Sequence, residues 1–171
     1  PAMADNGKLY TGFDTSFVNE MRNLIGFSDI ILPNMTEAGL LTDSEIILEN
    51  QTDEYIKDII YKFKALGAKN IVLKGVKNVE GKLGIAIYEA DTDSIDIFYT
   101  DRIKKDAHGT GDCYAAAFTG CLMQGKSLGE AVKVAAEFVS EAILKTVDDE
   151  SHWYGVKFER AIPVLVRELD K

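Results

Sequence analysis

Amphipathic helical segments alternate along this sequence with short aliphatic runs that have the pattern of buried β-strands. Residues 15–25 place apolar side chains at helical spacing, and the aliphatic run 29–32 follows them. A longer helical segment opens near Thr52 and ends at Gly67, and a strand pattern with three central aliphatic residues follows at residues 70–75. Because alternating strands and helices build a sheet covered by helices, the pattern predicts an α/β sandwich with a mainly parallel sheet.

The carboxyl-terminal half continues the pattern with two strands, expected to form a hairpin, and three helices. These five elements are expected at residues 83–89, 94–100, 109–123, 127–144 and 158–169. Ser127 and Glu130 have the spacing of a capping box at the start of the second helix. The first helix is rich in small residues, which suits close packing against a sheet.

Length and charge exclude several classes of protein. The 171 residues are enough for one domain with a real core, so the expected domain runs over residues 1–171. The net charge of −9, from 19 basic and 28 acidic residues, argues against a nucleic-acid partner. No apolar run approaches the ~20 residues that span a bilayer, and no signal-peptide pattern opens the chain. No membrane partner is therefore expected.

The cysteines predict a reducing environment. Cys113 and Cys121 lie on one expected helix, about 12 Å apart, which is too far for a disulfide bond. A cytoplasmic location is therefore expected. With only two histidines and no CxxC pair, a zinc site is not expected, and the absence of GxxxxGK[ST] argues against a P-loop NTPase.

The start of the chain is unusual for this fold class. It opens in what has the pattern of a loop, with no strand or helix before it. A doubly wound sheet normally begins with a βαβ unit. The amino-terminal part of the domain is therefore expected to be missing.

The motif Gly109-Thr110-Gly111-Asp112 stands directly before the small-residue helix. Amides at a helix start have no intrahelical acceptor, and glycines let an anion approach them closely, so the motif suits an anion hole for a transferring phosphoryl group. Asp112 in the first helical turn can accept the proton of an attacking hydroxyl. Taken alone, the motif fits a tight turn with a helix-start acid equally well. The small-residue helix that follows favours the functional interpretation.

A second group of polar residues follows the strand at residues 29–32. Asn34 and Glu37 are expected at the carboxyl end of that strand, where ligands bind in open α/β sheets. Thr36 is expected to cap the next helix. A carboxylate such as Glu37 can hold Mg²⁺ through water, although it fits an ordinary early-turn helix acid as well.

Two further candidates lie at loops. Lys74 and Gly75 end the strand at residues 70–75, and the lysine could reach a phosphate or remain a solvated strand-end charge. Asp5 lies in a polar loop near the start of the chain and could share a metal site. By itself, that loop is only a polar turn.

Together these motifs resemble ribokinase-like sugar and vitamin kinases. Residues 109–112, with the helix after them, are similar to the carboxyl-terminal signature of that group. Residues 32–38 resemble the Pro-Asn-x-x-Glu segment of its vitamin-kinase branch, and residues 1–10 resemble a loop of pyridoxal and pyridoxamine kinases. Residues 154–159 are similar to the tail of bacterial pyridoxamine kinases.

The resemblance implies a three-layer ribokinase-like sandwich whose amino-terminal part is missing. It implies ATP-dependent phosphorylation of the 5′-hydroxymethyl group of pyridoxal, pyridoxine or pyridoxamine, with Mg²⁺ and, when complete, a homodimer. Asp112 would be the catalytic base, and Asp5 and Glu37 would lie at the metal. The residues implied to contact or border the nucleotide are Asn34, Glu37, Lys74, Gly75, Ile103, Lys104, Lys105, Gly109, Thr110 and Gly111.

The sequence departs from the family pattern at several positions. Ala4 replaces a usual glycine, and Leu32 stands where pyridoxal kinases often have a threonine linked to a monovalent cation, so the use of such a cation stays open. Lys74 with Gly75 is more like hydroxymethylpyrimidine kinases of thiamine biosynthesis. The alternatives to a B6 kinase are a hydroxymethylpyrimidine kinase and a nucleotide-binding fragment without turnover. The chain alone is expected to have little or no kinase activity.

Overall fold

The structure is a computed structural model that describes residues 2–105 and 108–169. The chain divides into two compact units, Pro1–Tyr99 and Thr100–Lys171. The single domain expected over residues 1–171 stays a prediction.

The first unit holds most of the strands. In chain order it contains strands β1 (Ala4–Asp5) and β2 (Lys8–Leu9), helix α1 (Thr15–Leu24), a 3-10 turn (Ile25–Phe27), strand β3 (Ile30–Ile31), helices α2 (Met35–Thr42) and α3 (Asp53–Ala65), and strands β4 (Asn70–Val76), β5 (Lys82–Glu89) and β6 (Ser94–Asp101). The last two residues of β6 belong to the second unit. That unit also contains helices α4 (Thr110–Met123) and α5 (Leu128–Leu144), a 3-10 turn (Phe158–Arg160) and helix α6 (Ile162–Leu169).

The larger sheet is mixed, which corrects the prediction of a mainly parallel one. Its strand order is β3-β4-β5-β6. Strand β3 pairs parallel with β4 through Ile30 and Ile31, whereas β4 and β5 run antiparallel. The physical reason is the length of the connections. Helices α2 and α3 fill the crossover from β3 to β4, but only short turns link β4, β5 and β6, and short turns join antiparallel strands.

Strand β4 continues past Gly75, where the sequence predicted its end. Gly75 has φ +84°, and the register against β5 shifts between Lys74 and Val76. An L side chain rarely adopts that φ, so a glycine lets the strand bulge and go on to Val76.

The core of the first unit lies between the sheet and its helices. Thr52 caps α3 by accepting a hydrogen bond from the Tyr55 amide, and acidic residues follow in the first turn. The apolar stripe of α3 then packs against β4, in a core cluster that also holds residues of β5, and burial of each large side chain contributes roughly 1.5–3 kcal/mol. The fully buried residues of this stripe are Ile56, Ile59, Ile60 and Phe63.

The capping box of the second unit was predicted correctly, whereas the packing of its small-residue helix against a sheet stays a prediction. Helices α4 and α5 pack against each other, and small side chains such as Ala117, Ala131 and Ala135 are buried. The capping box is present, with the Ser127 hydroxyl accepting the Glu130 amide and the Glu130 carboxylate accepting the Ser127 amide. The expected helix at residues 158–169 is instead a 3-10 turn followed by the short α6.

The amino-terminal loop contains a hairpin that the sequence did not predict, because β1 and β2 have two residues each and carry no alternating pattern. The three-layer arrangement stays a prediction. Within the described residues, no helix has both the length and the apolar character needed to cross a membrane.

Candidate phosphate site and catalytic residues

The four-residue motif that was expected to bind an anion forms the start of helix α4. Gly109 is the N-cap residue with φ +78°, in the left-handed region, and the Cys113 amide donates to its carbonyl over 3.0 Å. A Cβ built on Gly109 or Gly111 would meet no atom of residues 2–105 and 108–169 within 4 Å. The backbone at this helix start is therefore approachable from open space. Its dipole and its first amides favour an anion such as a phosphate.

Asp112 lies in the first turn of α4 and is exposed. A carboxylate in that position is stabilised by the helix dipole and is accessible to a substrate hydroxyl. Its neighbour Cys113 is a half-buried free thiol whose pKa is raised by burial and, secondarily, by the negative charge of Asp112. Cys113 therefore stays a neutral thiol near pH 7, which leaves Asp112 as the better candidate for proton transfer.

A buried carboxylate organises the candidate site of the first unit. Glu37 is 2% exposed. Its Oε2 accepts the Asn34 amide over 2.9 Å and its Oε1 accepts the Met3 amide over 3.0 Å. The Asn34 side chain accepts the Glu37 amide and donates to the Ala4 carbonyl over 2.8 Å. The pair therefore caps helix α2 and fastens the β1–β2 hairpin to it.

Thr36 does not cap this helix, which corrects the expectation from the sequence. Asn34 is the N-cap residue, and the Thr36 hydroxyl accepts the Gly7 amide over 2.9 Å. Thr36 thus adds a second contact between α2 and the amino-terminal hairpin. Its partner lies 29 residues away, so local spacing could not reveal it.

Lys74 and Gly75 lie beside this cluster, a neighbourhood that the sequence did not predict. Lys74 forms a parallel bridge with Asn34, and its amide donates to the Pro33 carbonyl over 2.9 Å. Asp5 is exposed at the end of β1, next to Ala4. The first unit therefore brings Asn34, Glu37, Lys74 and Gly75 together, with Asp5 on the attached hairpin.

The remaining nucleotide candidates lie in the second unit, just before the motif. Ile103 is half-buried and Lys104 is exposed. The Lys105 ammonium donates to the Thr146, Val147 and Asp149 carbonyls at 2.5, 3.1 and 3.4 Å. The turn after α5 that receives this contact was not singled out from the sequence, because backbone acceptors leave no residue signature.

The metal candidates differ in how they could act. Mg²⁺ commonly takes one or two carboxylates together with phosphates and several waters. Asp5 is exposed and fits that pattern, whereas both Glu37 oxygens already accept an amide, so Glu37 suits contact through water. Among residues 2–105 and 108–169, no group of three or more His, Cys, Asp or Glu is placed to hold a metal. The metal roles of Asp5 and Glu37 stay predictions.

Replacing Glu37 by glutamine tests the structural part of this cluster. The Glu37→Gln amide nitrogen cannot accept a hydrogen bond, so one buried backbone amide loses its partner, and we expect a loss of about 1–3 kcal/mol in the free energy of unfolding. Urea unfolding followed by circular dichroism, with EDTA present, measures it. Glu54→Gln, an exposed first-turn acid of α3, is the matched control and is expected to change stability by less than about 0.5 kcal/mol. Equal stability of the two variants would contradict the structural role.

Known proteins with similar sequences or folds point to one family. A 34% identical relative, the hydroxymethylpyrimidine/phosphomethylpyrimidine kinase of Aquifex aeolicus, aligns over 67% of this chain and 43% of its own length. A Bacteroides thetaiotaomicron protein described as a phosphomethylpyrimidine kinase is 32% identical. Its crystal form with pyridoxal superposes with a TM-score of 0.87 over 100% of this chain and 59% of that one. Pyridoxal kinase from Lactobacillus plantarum is 28% identical, with a TM-score of 0.84 over 98% of this chain and 60% of that one.

This chain therefore spans about half the length of the curated relatives it matches. The resemblance to ribokinase-like vitamin kinases is confirmed, while the missing amino-terminal part stays a prediction. The sequence model of the phosphomethylpyrimidine kinase family matches residues 4–156. Because that match covers most of the sequence, the chain belongs to the phosphomethylpyrimidine kinase family.

Proposed function

We propose that this chain supplies the phosphate-binding loop and the catalytic base of a kinase that phosphorylates pyridoxal, pyridoxine or pyridoxamine at the 5′-hydroxymethyl group. The observation that carries the proposal is the start of helix α4. A left-handed glycine cap with open space around it stands three residues before an exposed carboxylate. Phosphoryl transfer depends on positioning and on stabilising charge, and these are what such a helix start can provide.

In the proposed reaction the substrate hydroxyl oxygen attacks the γ-phosphorus of ATP. Asp112 accepts the hydroxyl proton as the new oxygen–phosphorus bond forms and the bond to the β-phosphate oxygen breaks. The amides at Gly109, Thr110 and Gly111 stabilise the negative charge on the transferring group. Mg²⁺, when bound, neutralises phosphate charge, and Asp5 and Glu37 are the carboxylates proposed to hold it.

The choice of substrate rests on finer features. The loop at residues 1–10 resembles that of pyridoxal kinases, and one solved structure similar to this chain contains pyridoxal. The second candidate is hydroxymethylpyrimidine kinase, which is favoured by the family match and by the Lys74-Gly75 pair. Both substrates present a hydroxymethyl group on a nitrogen-containing aromatic ring. We favour the B6 vitamers because the resemblance to pyridoxal kinases at residues 1–10 covers more residues than the Lys74-Gly75 pair does.

The role of Asp112 is tested in a complete kinase that contains residues 1–171. Asp112→Asn keeps the size of the side chain but removes its basicity, so we expect kcat to fall about 10²–10⁴-fold with little change in the KM for ATP. Steady-state kinetics with pyridoxal measure both values. Glu159→Gln, at an exposed position of the same unit, is the control for the loss of one negative charge. An unchanged kcat in Asp112→Asn would remove this residue from the mechanism.

Substrate preference separates the two candidate activities. We expect the complete kinase to use pyridoxal with at least about a tenfold higher kcat/KM than hydroxymethylpyrimidine, which corresponds to a difference of about 1.4 kcal/mol in transition-state binding. Competition between the two substrates in one reaction, with products separated by chromatography, gives the ratio directly. A preference for the pyrimidine would contradict the B6 proposal but not the kinase proposal. The 171-residue chain alone is expected to show little turnover.

A further inference from the structure

Three backbone carbonyls just beyond the end of helix α5 surround one ammonium group. The Lys105 ammonium donates to the Thr146, Val147 and Asp149 carbonyls at 2.5, 3.1 and 3.4 Å. A lysine ammonium has three donors and no acceptor, so three carbonyls match its capacity. The carboxyl end of a helix also carries partial negative charge, which favours a cation there. These contacts leave the ammonium no further donor for a phosphate.

The turn that carries these carbonyls is held by its own contacts. Thr146 is 0% exposed, and its hydroxyl donates to the Ala142 carbonyl over 2.7 Å and accepts the Lys157 amide over 2.9 Å. The Lys157 ammonium pairs with the Asp149 carboxylate, which also accepts the amide and hydroxyl of Ser151. These contacts, that of Lys157 first, hold the pKa of Asp149 well below its usual range. The carbonyl groups are therefore presented by an ordered turn.

Gly155, in the same segment after α5, lies close to the residue before the anion-binding motif. A Cβ built on Gly155 would lie 3.7 Å from the His108 carbonyl oxygen. The Gly155 carbonyl lies 2.7 Å from Nδ1 of His152, so this part of the turn has its own internal hydrogen bond. The turn therefore contacts Lys105, and Gly155 lies close to His108, which directly precedes Gly109, the cap of α4.

We propose that Lys105 is a positioning residue, whose ammonium fastens the chain entering Gly109 to the turn after α5 and so holds the first amides of α4 in place for a phosphate. That the first amides of α4 bind a phosphate rests on the proposed function, whereas the anchoring of the chain by Lys105 does not. Lys105 then acts on the nucleotide through the backbone of the loop and not by direct contact. Residues that belong to no motif, above all Thr146, therefore help to hold the phosphate site in place.

Hydrogen exchange of the whole chain tests the fastening without any nucleotide. Lys105→Ala removes a charged hydrogen-bond donor, so the Cys113 amide, which makes the first hydrogen bond of α4, is expected to exchange at least about tenfold faster. Amides in the middle of α5, at Ala135 and Ala136, are expected to keep their rates. Methylammonium, which restores the missing ammonium head, is expected to bring the Cys113 rate back toward its original value. NMR-detected exchange measures all three sites.

Two variants make the result specific. Lys133→Ala removes the same charge from the exposed face of α5 and is expected to leave the Cys113 amide unchanged. Lys105→Met keeps the stem and fills the space, so it is expected to speed exchange at Cys113 without rescue by methylammonium. It also serves as the test variant if Lys105→Ala fails to fold.

Two outcomes would overturn the proposal. One is an unchanged Cys113 rate in both Lys105 variants, and the other is an equal rise at Cys113, Ala135 and Ala136. Failure of the kinase proposal would leave these exchange rates as expected, so the two failures can be told apart.

Discussion

The left-handed conformation of Gly109 decides where helix α4 begins and what its first turn can do. At φ +78° an L side chain would be strained, and a side chain would also fill the open space in front of the first amides. With glycine there, the helix dipole ends on accessible backbone, and Asp112 follows within the first turn. The proposed anion hole and the proposed base are therefore consequences of one backbone turn.

In the first unit, the buried carboxylate of Glu37 has the corresponding organising role. Glu37 accepts amides from its own helix start and from Met3, 34 residues earlier in the chain. These contacts fix the hairpin that carries Asp5 and set Asn34 beside Lys74. A charged group that is 2% exposed is costly unless it is fully hydrogen-bonded, and the two amides meet that cost. Glu37 therefore has a structural task whether or not it also contacts a metal through water.

The sequence predicted the features that depend on close neighbours. The Ser127–Glu130 capping box, the stripe of α3 and the helix start at Gly109 are each encoded within a few residues, so spacing alone reveals them. One local feature was misassigned, since the cap of α2 was given to Thr36 although the capping box joins Asn34 and Glu37. The other main features it missed depend on partners that are distant in the chain or on backbone groups. The antiparallel pairing in the sheet follows from the short connections between β4, β5 and β6. The prediction of a mainly parallel sheet rested on the buried aliphatic strands and did not take the length of these connections into account. The Lys105 contacts reach 41 to 44 residues along the chain and end on carbonyls, which every residue has.

Titration calorimetry of the chain with ATP and with adenosine tests the central claim, that the start of α4 binds the phosphates of a nucleotide. We predict that ATP binds at least about tenfold more tightly than adenosine, because charge-assisted hydrogen bonds from the amides act on the phosphates alone. Gly109→Ala, which strains the cap, is predicted to remove most of this difference while adenosine binding is kept. Equal affinities for ATP and adenosine, or a difference that Gly109→Ala leaves intact, would contradict the account.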